Sequence, residues 1–100
     1  MEYILKGDTL LIVMDRDLDH HNAAIIKEKI DGFIYSGQAK NVIFDFKQTN
    51  FMDSSGIGVV MGRHRLLKPL GGTVKVKNLR SDVERIFLIS GLYKIIEKEV

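Results

Sequence analysis

The 100-residue sequence contains no cysteine, no tryptophan and a single proline. Without cysteine it can form neither structural disulfides nor thiolate metal sites, which fits a reducing compartment. With one proline, no low-complexity run and no internal repeat, nothing marks a linker or a second domain. A membrane-spanning helix needs about 18 uninterrupted apolar residues, and no such run is present. The stretch from Met1 to Asp8 also lacks the basic start and apolar core of a signal peptide, so a cytoplasmic chain is expected. Charge of one sign is missing too, because 15 Lys and Arg stand against 13 Asp and Glu, a formal balance of +2. Its three Tyr and five Phe lie mostly in apolar runs rather than between cations. The chain therefore has neither the charge nor the stacking platform of a nucleic-acid binder. A single domain of this length buries something above ~60% of its unfolded surface, so a core is available without staples.

What is present alternates between two hydrophobic periods. Glu2 to Lys6 and Thr9 to Met14 read as strands around Gly7-Asp8, a hairpin signal. Asp15 to Asp19 reads as an acidic loop. From His20 to Ser36 the residues Ala23, Ile26, Ile30, Phe33 and Ile34 follow helical spacing, with Asp19 or Asn22 as a cap and Gly37 as a stop. Next come a mostly apolar strand from Val42 to Phe46, a polar loop from Lys47 to Asn50, a helix from Ser55 to Lys68 closed by Gly71-Gly72, and a strand from Thr73 to Lys77. Ser81-Asp82-Val83-Glu84 has the form of a capping box for a helix from Asp82 to Ile89, with Gly91 at its C-terminal cap. A last strand is expected near Ile95 to Glu99. This alternation defines an α/β domain. The opening hairpin is antiparallel and the βαβ units are parallel, so a mixed sheet of four or five strands is expected. Gly58 and Gly62 each cost roughly 1 kcal/mol in helix propensity, which predicts close approach by a neighbouring element.

The most informative stretch is Thr49-Asn50-Phe51-Met52-Asp53-Ser54-Ser55-Gly56-Ile57-Gly58-Val59-Val60, which sets two hydroxyls beside an acid where a polar loop becomes an apolar helix. Asp53 or Ser54 falls at the helix N-cap, where a side-chain oxygen stabilises the first turn by roughly 1 kcal/mol over Ala. Capping alone explains these residue types. The same place also suits a phosphate, because unpaired N–H groups and the positive end of the dipole favour anions. Phosphoserine at Ser54 would leave the fold intact and change what the surface can bind, adding roughly 1.5 to 2 negative charges beside Asp53.

Other chemistries fit less well. Gly56-Ile57-Gly58-Val59-Val60-Met61-Gly62 has one residue too many for a dinucleotide fingerprint, and no phosphate-binding lysine motif accompanies it. Met52 and Gly56 flank Ser54 where a nucleophile elbow needs glycine on both sides. Adjacent His20 and His21 point about 100° apart and make a poor chelating pair, with or without His64. One imidazole is expected to pack and the other to lie at the surface near the Asp53-Ser54 loop. Asp15, Asp17 and Asp19 lack the loop glycine and distal Glu of a calcium-binding EF-hand. Arg63, Arg65 and Lys68 are explained by the negative end of their helix.

Three blocks then carry a resemblance. Leu18-Asp19-His20-His21, Phe51 to Val59, and Ser90-Gly91-Leu92-Tyr93-Lys94-Ile95-Ile96 resemble, in the same order, blocks of the bacterial anti-sigma factor antagonists, which are STAS domains, and those of sporulation in particular. The resemblance spans nearly the whole chain. It implies a STAS-like single domain over residues 1–100, with helices packed largely on one face of the mixed sheet. It also implies a non-enzymatic protein without cofactor or metal, in which Ser54 is phosphorylated by the anti-sigma factor, itself a serine kinase. The unphosphorylated antagonist binds that kinase so that a sigma factor is released, and a separate serine phosphatase resets Ser54. Asp17, Asp19, His20, Asp53, Ser55, Gly56 and Ile57 are then expected to join Ser54 in the partner surface. The reading that competes with this switch is a nucleotide or other phosphate-bearing ligand held at the Asp53-Ser54-Ser55 helix start. Two departures stand out. Arg16 occupies about the place where relatives usually carry glycine, so a strained or altered loop is expected there. The sequence also ends at Val100, where related domains commonly add a helix.

Overall fold

The computed structural model describes residues 1–99. In chain order the elements are β1 (Glu2–Lys6), β2 (Thr9–Val13), β3 (Asp17–Leu18), α1 (His20–Tyr35), β4 (Asn41–Asp45), β5 (Phe51–Met52), α2 (Ser54–Leu67), β6 (Thr73–Lys77), α3 (Ser81–Ser90) and β7 (Glu97–Lys98). Short 3-10 turns at Lys68–Leu70 and Leu92–Lys94 follow α2 and α3. The main sheet has five strands in the order β1-β2-β4-β6-β7. β1 pairs antiparallel with β2, and the other three pairings are parallel. Gly7 has φ +59° while Asp8 keeps negative φ, as in a type II′ turn with glycine first.

Strand alternation decides which face is covered. Leu10, Val42 and Val74 stand side by side across the sheet, as do Ile12, Phe44 and Val76, and all six are buried. The row between them, Leu11, Ile43 and Lys75, points to the other face and stays partly exposed. Ala23, Ile26, Ile30 and Ile34 of α1 and Val59, Val60 and Leu67 of α2 complete the core with the buried rows. Phe87 of α3 meets Phe46 edge to face at 5.4 Å. Each fully buried Leu, Ile or Phe contributes about 1.5–3 kcal/mol, so the helix-covered face holds the domain together.

Several expectations need correcting. The segment from Asp15 to Asp19 is not wholly loop, because β3 pairs in parallel with β5 as a separate two-stranded sheet. Arg16 is not at positive φ, so the backbone carries no strain at that position, and its carbonyl accepts from the N–H groups of Asn50 and Phe51 at 2.8 and 3.1 Å. The capping box does not form. The N-cap of α3 is Arg80, which makes no side-chain capping bond, and Ser81 is already helical. The last strand is shorter than expected, because the 3-10 turn at Leu92–Lys94 delays it to Glu97.

Tyr93 in that turn donates from its hydroxyl to Glu84 Oε1 at 3.3 Å, and Lys98 also pairs with Glu84. Burial, reinforced by the Glu84 charge and hydrogen bond, pushes the Tyr93 phenol up to about 12. The unfolded chain therefore ionises first. The contribution is fully present below 10.0 and is lost as pH rises to about 12. Tyr93→Phe should unfold with a shallower pH dependence than wild type across this window, as read from paired urea titrations, and parallel curves would contradict it.

Candidate functional site

The second small sheet explains how distant residues share one surface. Asp17 pairs with Phe51 and Leu18 with Met52, and the Asp53 N–H donates to the Leu18 carbonyl at 3.3 Å. Each of these two strands runs straight into a helix capped by aspartate. Asp19 accepts from the Asn22 N–H at 2.9 Å at the start of α1, and Asp53 accepts from the Ser55 N–H at 2.8 Å at the start of α2. Since α1 packs on α2, two aspartate-capped N-termini stand side by side. Asp17, Asp19 and His20 thus come to the same surface as Asp53, Ser54 and Ser55.

Ser54 is the first residue of α2 and is exposed, whereas Ser55 is half-buried. Ile57 is half-buried, and Gly56 is buried against β3 and β5. A Cβ at Gly56 would lie 2.4 Å from Met52 Cγ, 2.6 Å from Met52 Sδ and 2.9 Å from Leu18 Cδ2. Glycine here lets the first turn of α2 settle onto the small sheet, which fixes the display of Ser54. The expected close approach at Gly58 and Gly62 is absent, because a Cβ at either position meets nothing within 4 Å. Packing does not explain these two glycines. Gly56→Ala should cost about 1–3 kcal/mol through overpacking, whereas Gly58→Ala should add about 0.5–1 kcal/mol through helix propensity. Thermal unfolding of the two variants would show opposite shifts, and equal shifts would refute the contrast.

An open groove of about 430 Å³ runs between the two helices from this surface, lined by His20, Ala24, Lys27, Ser55, Gly58 and Gly62 among others. His20 and His21 are both exposed, which corrects the expectation that one imidazole packs. His64 faces other clefts near the C-terminal end of α2. Among the described residues, no three His, Cys, Asp or Glu side chains are grouped to hold a metal.

Two features escaped sequence reasoning. Phe51 is 52% exposed beside the Asp53-Ser54 turn, an apolar element on an otherwise polar surface. No local signal announces it, because β5 is only two residues long; the structure turns Met52 in and Phe51 out. Arg63 is buried rather than a surface cation at a helix end, and its Nε lies 3.0 Å from Asp31 Oδ1 on α1. The two atoms make ion-pair contact without an aligned hydrogen bond. Arg63 Nη1 donates weakly to the Val59 carbonyl at 3.4 Å. Nothing local in the sequence announces that pair.

Comparison with known proteins agrees with this geometry. The chain is 35% identical over 86 residues to an anti-sigma F factor antagonist of Paenibacillus polymyxa, covering 86% of this chain and 74% of that protein. The solved anti-sigma factor antagonist SpoIIAA in its unphosphorylated form superposes with a TM-score of 0.88 at 32% identity, covering 99% of this chain and 87% of that one. SpoIIAA of Bacillus in its phosphorylated form gives 0.81 at 31% identity, covering 99% and 90%. The family model for the STAS domain matches residues 2–100. With the five-stranded mixed sheet and its one helix-covered face, that match makes this chain a member of the STAS domain family.

Proposed function

We propose that this STAS domain is an anti-sigma factor antagonist whose switch is Ser54. The observation that carries the reading is the placement of Ser54. Its side chain is exposed at the first residue of α2, on a surface built by two aspartate-capped helix starts. The antagonist names and the phosphorylated and unphosphorylated forms of the similar proteins support it. In the unmodified state Asp17, Asp19, His20, Asp53, Ser54, Ser55, Gly56 and Ile57, joined by Phe51, contact a serine kinase that is also an anti-sigma factor. Contact makes the kinase release its sigma factor. The kinase then transfers the γ-phosphoryl of its Mg-ATP to Ser54 Oγ, the hydroxyl proton being taken by a base of the kinase. A serine phosphatase later hydrolyses the ester and restores binding. The catalytic groups belong to the partners, so this chain is a substrate rather than an enzyme, and all these encounters take place in the cytoplasm.

The geometry weighs against a small phosphate-bearing ligand at the same helix start. The Asp53 carboxylate already holds the Ser55 N–H, one of the donors a free phosphate would need. Incubation with the kinase and Mg-ATP should add one phosphate, read by intact mass. It should be lost in Ser54→Ala and kept in Ser55→Ala. An active kinase that leaves the folded wild-type chain unmodified would overturn the proposal, and saturable nucleotide binding by the isolated chain would replace it with the ligand reading.

A further inference from the structure

We infer that the free edge of the sheet at β1 is a self-complementary surface that pairs two copies of this chain, an interaction independent of the Ser54 reading. Among the described residues β1 has a partner only on its β2 side. Lys6 and Thr9 close a two-residue turn, so their pair is hydrogen-bonded, and so by alternation are Ile4 with Leu11 and Glu2 with Val13. The N–H and C=O groups of Tyr3 and Leu5 therefore point outward, away from β2. Ile4 and Leu5 are 36% and 37% exposed on this edge. Glu2 and Lys6 are exposed, and neither has an ion-pair partner among the described residues.

Laid against its own reverse, the segment Glu2-Tyr3-Ile4-Leu5-Lys6 sets Ile4 on itself, Tyr3 on Leu5 and the two charges on their opposites. In an antiparallel pairing about a two-fold axis at Ile4, Tyr3 of each copy stands opposite Leu5 of the other. The outward backbone groups of these residues then satisfy one another. Ile4 meets Ile4 of the second copy in the non-hydrogen-bonded position, where side chains come closest. Glu2 of each copy faces Lys6 of the other, at both ends of the ribbon. Sliding the register by two residues in either direction places Glu2 or Lys6 opposite Ile4 and leaves the other charge beyond the pairing, so charge selects one register. A lone edge lysine usually guards against such pairing. Here the glutamate four residues before it removes the guard.

Residues opposite each other point to the same side of a sheet, so Leu5 of the second copy stands beside Tyr3 on the helix-covered side. Tyr3 there stacks on Phe33 at 6.2 Å, at the wall of an open cleft that also includes Ile25 and Gly32. Ile25 is 48% exposed and gains an apolar neighbour nearby. The two-fold axis turns the parallel strands of one copy against those of the other. The two Ser54 surfaces therefore face opposite ends of a continuous sheet, and both stay open.

Sedimentation equilibrium of the whole chain from micromolar to millimolar concentration tests the pairing. The weight-average mass of wild type should rise from 11.4 kDa toward twice that value. Glu2→Lys faces lysine with lysine and Lys6→Glu faces glutamate with glutamate, so each alone should dissociate about tenfold more readily. An equimolar mixture of the two variants restores opposite charges across the axis and should recover the association. Both sites are on the surface, and far-UV circular dichroism confirms that each variant is folded. A wild type that stays monomeric throughout, an association indifferent to both substitutions, or a mixture that fails to recover it would overturn the inference.

Discussion

Replacing Ser54 with Asp is expected to weaken binding to the anti-sigma kinase by about 100-fold or more while leaving the domain folded. The two consequences have separate causes. An added carboxylate at the first residue of α2 lies near the positive end of the helix, so stability is unchanged or slightly raised. At the proposed interface the same charge would join Asp17, Asp19 and Asp53 where the unmodified chain carries a neutral hydroxyl. Like-charge repulsion and desolvation across a docked interface amount to several kcal/mol, and about 3 kcal/mol already exceeds 100-fold in affinity. Ser54→Ala removes the acceptor hydroxyl without adding charge and should bind within a few-fold of wild type. Calorimetric titration of the kinase with the three proteins separates these cases. Tight binding by a folded Ser54→Asp chain would show that negative charge at this position is not what releases the partner.

The second large effect concerns stability. Asp31→Ala should cost about 3 kcal/mol, because Arg63 is buried and would keep little beyond its weak contact with the Val59 carbonyl. Removing one member of a buried pair leaves an uncompensated charge and typically costs 3–5 kcal/mol. The partial exposure of Asp31, 18% for its side chain, places this pair at the low end. Replacing both members together, Asp31→Leu with Arg63→Met, removes the desolvation penalty with the attraction and should be nearly neutral or stabilising. Urea unfolding followed by circular dichroism would give both values. A single substitution costing less than about 0.5 kcal/mol would mean that Arg63 turns to solvent and that the ion pair does not clamp α1 to α2.

These two effects mark where the sequence was readable and where it was not. Ser54 lay inside a local pattern, an acid and two hydroxyls at the entry to an apolar helix, so a cap at Asp53 or Ser54 followed from capping chemistry, and the structure puts the cap at Asp53 and Ser54 one residue inside α2. The hairpin at Gly7, the strand Thr73–Lys77 and the stop of α3 at Gly91 were legible for the same reason, since each rests on residues within one turn or one strand. The ion pair joins residues on different helices, and neither Asp31 nor Arg63 departs from what an exposed helix position carries. The β3–β5 sheet was equally silent, because two-residue strands have no period to detect and their pairing is set by chain segments far apart. At Ser81 the motif was present but displaced, since the extended backbone of Arg80, ψ 161°, starts the helix one residue earlier than a serine cap would. Gly58 and Gly62 failed differently. Their cost to the helix is the expectation that Gly58→Ala tests, and the packing expected to offset it is absent, since a Cβ at either position meets nothing within 4 Å.

The small parallel sheet also has a meaning in time. Among the described residues only the pairing of β1 with β2 is local, whereas β3 cannot meet β5 until α1 and β4 have been made and the intervening loop has closed. Loop closure must be completed before such contacts stabilise anything. During synthesis the Leu18-Asp19-His20 segment therefore emerges early and waits for the residues around Ser54. A growing chain that has not reached α2 presents only half of the surface on which Ser54 stands.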